Sequence, residues 1–146
     1  EEIVMRGYIF PTIAARGNVV LAIVISSIAF GLGHLSNPNL AGIAVLNLFL
    51  FGVLAAIYAL REGSLWGVFG IHTVWNWLQG NVLGLSVSGI NYAPAPLFDF
   101  GTATPAWWSG GEFGPEGGIA VTLVLLAGIA TLLFWRRLWS RQRVAA

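Results

Sequence analysis

Cysteine and lysine are both absent from this 146-residue sequence, and charge of either sign is scarce: seven Arg and six Asp or Glu. Without cysteine there is no disulfide and no thiolate metal site, and nothing marks a redox compartment. Charged residues make up 9% of the chain, far below the roughly 25% of a soluble domain. A net charge of +1 gives no general affinity for nucleic acid. No cleavable signal peptide and no internal repeat is visible in the sequence, which does not begin with Met. The chain opens inside a motif, so it reads as the C-terminal core (residues 1–146) of an N-terminally truncated protein. The missing N-terminal helices of its own chain are then among its expected partners.

What is abundant is apolar: 57% of the residues. That composition predicts an all-α, polytopic transmembrane helix bundle of about five helices embedded in a lipid bilayer. The apolar runs cover residues 1–15, with a kink expected at Pro11, then 19–34, 40–60, 65–83 and 118–135. Residues 85–116, rich in Gly, Pro, Ser and aromatics, form a long extramembrane or re-entrant loop with three acids and no base. Arg16, Arg61 and the tail residues Arg136, Arg137, Arg141 and Arg143 all fall on one side by alternation. The positive-inside rule makes that side, and the C-terminus, cytoplasmic in an integral protein of a bacterial cytoplasmic membrane. Read instead as an anionic-lipid or nucleic-acid patch, the tail would be unusual beside a spanning helix.

Against this background the polar groups inside apolar segments stand out, because charge in hydrocarbon persists only with a partner or a task. Glu2 and Arg6 are spaced i, i+4 and predict an ion pair. Glu1, about 100° away around the helix, is left without a partner. A solvated helix start with acids at its positive end is the plain alternative. His34, His72 and Asn76 each have a plain reading too, as interhelical hydrogen bonds. Depth sets them apart: from the Arg-marked face, Glu1, His34 and Asn76 lie at about 22, 24 and 21 Å, and His72 at about 15 Å. His72 and Asn76 share a helix face. Asn47, at a similar depth, reads as an interhelical bond. A carboxylate and two imidazoles near one level suit activation of a water for hydrolysis, with or without a metal. The same groups could line a proton or ion pathway.

In order along the chain, Glu1-Glu2-x-x-x-Arg6, Phe30-x-x-x-His34 and His72-x-x-x-Asn76 resemble the three signature motifs of the CPBP intramembrane protease family. That family includes the type II CAAX prenyl endopeptidases and bacteriocin-processing relatives. The Gly110–Gly118 run of the loop also resembles bacterial members. The resemblance implies an endopeptidase acting on a peptide or membrane-protein substrate. Glu1 and His34 would activate the water, and His72 and Asn76 would bind the oxyanion. Glu2 and Arg6 would support the geometry, and Phe30 would pack. If the enzyme is metal-dependent, Glu1, His34 and His72 would ligate a divalent ion such as zinc. The metal-free glutamate mechanism is preferred, because with Glu1 ligating a metal no second intramembrane acid would be free to act as base, Glu2 being paired with Arg6. The alternatives are a catalytically silent immunity or scaffold protein on the same fold, and an ion or proton transporter.

Overall fold

The computed structural model describes residues 1–92, 94–101 and 105–143, with the backbone alone for 135–143. Among the described residues the chain is helical apart from turns and one isolated antiparallel bridge, Val87 to Ile90. The side chains of Arg136, Arg137, Arg141 and Arg143, on which the expected orientation rests, lie outside the described residues. So do positions 93 and 102–104 of the expected loop.

Helix α1 (residues 2–14) is three pieces run together: Glu2–Val4, a π-helical turn Met5–Ile9, and Phe10–Ala14. Pro11 has no N–H to donate one turn back, and its ring crowds the preceding turn. The departure from α geometry lies just ahead of it, where the N–H of Phe10 bonds the carbonyl of Met5. Helix α2 (Val19–Leu32) starts on Asn18, whose side chain accepts the N–H of Leu21 at 2.8 Å. The helix was expected to run through His34, but it stops at Leu32 and His34 lies in the following turn. Gly31 and Gly33 weaken the last helical turn, and Pro38 closes off any continuation. The N–H of His34 bonds Gly31 at 3.1 Å, the tightened i→i−3 pattern of a helix end.

Helix α3 (Gly42–Glu62) has 21 residues and is the one described helix long and apolar enough to cross a membrane. It ends at Gly63, whose φ of +71° is the left-handed cap that glycine adopts without strain. Helix α4 (Trp66–Trp77) runs on into a second π turn, Leu78–Val82. A short helix α5 (Ala106–Ser109) and two 3-10 turns, Gly111–Phe113 and Pro115–Gly117, lead into α6 (Ile119–Arg143).

Helix α3 is the hub, and α1, α2, α4 and α6 all pack on it. Its buried face is mostly small: Ala44, Gly52, Ala55, Ala56 and Ala59. Small residues let helix backbones approach closely where dispersion, rather than expulsion of water, holds helices together. One close approach is at Gly52, where an added Cβ would fall 2.7 Å from the Cα of Ser27 on α2. Ser26 and Ser27 are fully buried, and both hydroxyls donate to the Ile23 carbonyl, so no hydroxyl proton is stranded in the contact. Asn47 joins α3 to α6: it donates to the carbonyls of Glu116 and Gly118, at 2.8 and 2.9 Å, and accepts from Thr122.

The segment after α4 folds back on the helix ends. The N–H groups of Leu97, Phe98 and Phe100 bond the carbonyls of Asn81, Val82 and Leu83. Val87 and Phe113 are buried, and Phe113 packs with Phe30, Ala44 and Leu48 in one core cluster. The loop therefore covers the end of the bundle where α2 stops and α6 starts.

Candidate active site

Three elements meet at the start of α1. α1 brings Glu1, Glu2 and Arg6; the turn after α2 brings His34, with Phe30 one turn earlier; α4 brings His72 and Asn76. Glu2 and Arg6 are both buried, at 4% and 3% exposure, whereas the Glu1 side chain is 51% exposed. This difference separates a structural carboxylate from one open to water. Arg6 Nη1 lies 3.2 and 3.1 Å from the two oxygens of Glu2, as the i, i+4 spacing predicts. Its Nη2 donates to the Gly52 carbonyl at 3.0 Å, and the guanidinium lies 4.7 Å from the centre of the Phe30 ring. The pair thus holds α1, α2 and α3 together. Arg6→Ala leaves a buried carboxylate uncompensated, an expected loss of about 3–5 kcal/mol. Collapse of folded yield in detergent checks this; a stable, fully active variant would exclude the role.

Both imidazoles are oriented by an oxygen on Nδ1. The His34 Nδ1 lies 2.9 Å from the Phe30 carbonyl, and the His72 Nδ1 lies 2.9 Å from Glu2 Oε1. A carbonyl or carboxylate oxygen can only accept, so each Nδ1 carries the proton. In the neutral rings Nε2 is then a bare lone pair, and both lone pairs face Glu1. His34 Nε2 is 3.6 Å from Oε1, and His72 Nε2 is 3.7 Å from Oε2. These distances are too long for a direct hydrogen bond, and acceptors face acceptors across them. The gaps are too short for a water to lie between the atoms, but a water beside them can donate to a ring nitrogen and a Glu1 oxygen together. The Phe30 ring packs on His34 at 4.7 Å and on His72 at 6.0 Å, and Phe51 packs on His72 at 4.9 Å, which limits tilting of the rings.

Two cavities meet at His72. One, of about 260 Å³, is lined by Glu1, Glu2, Phe69, His72, Thr73 and Asn76. The Asn76 Oδ1 is buried with no hydrogen-bond partner among the described residues. The other, of about 150 Å³, is mainly apolar and reaches His34, His72, Phe51, Trp75 and Glu116. The structure thus brings Glu1, His34 and His72 together, and places Asn76 beside Glu1 and His72 but in a different cavity from His34. His72, read from the sequence as a turn below the others, reaches both Glu1 and Glu2.

As a metal centre the donor set is a poor fit. The two rings address different oxygens of Glu1. Among the described residues no three His, Cys, Asp or Glu side chains are grouped to hold one ion.

Three contributors were not visible in the sequence. The Gly52 carbonyl has no side chain to flag it, and the contact of Glu2 with His72 is made between distant segments. Glu116 stands in a glycine-rich run as one of three loop acids, with no local pattern to mark its contacts. Residues 1–78 match a family model described as type II CAAX prenyl endopeptidase Rce1-like. No curated protein and no solved structure matches the chain.

Proposed function

We propose that this chain, which belongs to the Rce1-like family of type II CAAX prenyl endopeptidases, hydrolyses a peptide bond with a water held jointly by Glu1 and His34. The family is one of membrane-embedded proteases. The observation that carries the proposal is the aim of two imidazole Nε2 lone pairs, each fixed through its Nδ1, at the half-exposed carboxylate of Glu1.

The water makes one hydrogen bond to Glu1 and the other to His34 Nε2, keeping both protons until attack, which leaves an oxygen lone pair free to attack. Glu1 takes the proton as the C–O bond forms, and passes it to the leaving amine as the C–N bond breaks. The developing oxyanion lies on the side of His72 and Asn76. The amide N–H₂ of Asn76 donates to it, and an unpaired buried Oδ1 supports a side chain kept for more than packing. His72 donates there only in its doubly protonated form, because Glu2 holds the proton on Nδ1.

The setting is a polytopic helix bundle with the basic tail on the cytoplasmic side. Exposed Val20, Leu21, Val24, Ile25, Ile28 and Leu32 on α2, and Leu123, Val124, Leu126, Leu133 and Phe134 on α6, support contact with lipid. The substrate is a peptide or membrane-protein segment of CAAX type, with an apolar part seated in the cavity behind His72.

Cleavage of a quenched CAAX-type peptide by the purified full chain in liposomes tests this reading. Turnover should survive prolonged chelation. Loss of turnover on chelation, restored by one zinc per chain, would replace the water-and-glutamate mechanism with a metal one.

A further inference from the structure

Glu116 is a carboxylate that the proposed reaction does not use, yet its side chain is held on three sides. Its Oε2 accepts the N–H and the hydroxyl of Ser88, at 2.5 and 2.8 Å, and its Oε1 accepts the indole N–H of Trp75 at 3.2 Å. Among the described residues it makes no ion pair. All three of its side-chain partners are donors. Only a carboxylate offers acceptors on both arms; an amide would turn N–H₂ toward either Ser88 or Trp75.

What these bonds connect gives them meaning. Ser88 holds a positive φ of +48°, a strained backbone for a residue with a side chain. Its carbonyl accepts from the Asn37 side chain at 2.9 Å. The backbone N–H of Asn37 in turn donates to the carbonyl of His34 at 3.0 Å. Trp75 stands on α4 between His72 and Asn76. A continuous line of hydrogen bonds therefore runs from the His34 turn through Asn37, Ser88 and Glu116 to the His72 helix. His34 lies beyond the end of α2, so the ladder of that helix does not set its position. The Glu116 carbonyl, bonded to Asn47, anchors the same line to α3.

We propose that Glu116 is a positioning residue: through Ser88 and Trp75 it ties the His34 turn to the His72 helix and sets the spacing of the two imidazoles around Glu1. What the spacing achieves rests on the peptidase reading; the tie itself does not.

Two measurements on the full chain in liposomes test it. Glu116→Gln and Trp75→Phe should each lower kcat by about 10–100-fold, the usual effect of losing an orienting partner or of a small misplacement. KM and folded yield should change little, and the double variant should be no worse than the poorer single one. A loss confined to KM or to yield, or an unchanged kcat, would overturn the proposal. The second measurement is independent of activity. Because the chain has no cysteine, spin labels can be placed solely at Leu35→Cys and Val74→Cys, both exposed positions. The distance distribution between them should be narrow in the parent and broader in both variants. An unchanged distribution overturns the tie. A broadened one, in a parent that cleaves no peptide, upholds the tie and removes the peptidase reading instead.

Discussion

Glu1→Gln lowers the rate of peptide cleavage by about two to four orders of magnitude, the usual worth of a general base. The glutamine keeps the shape of the side chain and one of its oxygens, but it cannot take a proton from water. Folding should be unaffected, because Glu1 is half exposed and neither of its contacts to the imidazoles is a direct hydrogen bond. The same change one residue later has a different outcome. Glu2 is buried and accepts from both Arg6 and His72, so Glu2→Gln disturbs the orientation of His72 and the fold together. Steady-state kinetics with circular dichroism on both variants separates the two roles. If Glu1→Gln kept near-parental turnover, Glu1 would not be the base.

Asn76→Ala should lower kcat by about two to three orders of magnitude, the range for one lost oxyanion donor. The stability effect should be small or favourable, since the substitution removes a buried acceptor that has no partner among the described residues. Loss of rate with retained or improved melting temperature is a combination that a structural asparagine does not give. Asn47→Ala supplies the contrast: it removes three bonds between α3 and the start of α6, so stability falls first. Equal losses of rate and stability in Asn76→Ala would make Asn76 a packing residue.

The Glu2–Arg6 pair was legible because i, i+4 geometry is a local property of the chain, and the helix keeps that spacing across the start of its π turn. The separateness of Glu1 was legible for the same reason. The five main helices could be read from apolar runs, and their ends could not. The α2 end is set by glycines and by Pro38 downstream, which leaves His34 in a turn where periodicity had placed it in a helix. Depth counted along straight helices put His72 one turn from the other groups. Its side chain closes that difference by bonding Glu2, a contact between residues 70 apart in sequence that no local pattern encodes. Glu116 was hidden more completely. Its partners lie in three segments, and its loop folds through glycines and a strained Ser88, not through any repeating pattern.

The water held by Glu1 is tested most directly by a single turnover in oxygen-18 water, with enzyme in excess over peptide. If Glu1 is the base, the new carboxyl terminus of the first product carries the label and the Glu1 side chain remains unlabelled. If Glu1 attacks the carbonyl itself and water opens the anhydride at the Glu1 carbonyl, the label enters Glu1 and the first product forms without it; trapping of that anhydride by hydroxylamine reports the other opening. A labelled Glu1, or no cleavage by the full chain at all, would contradict the water-and-glutamate mechanism.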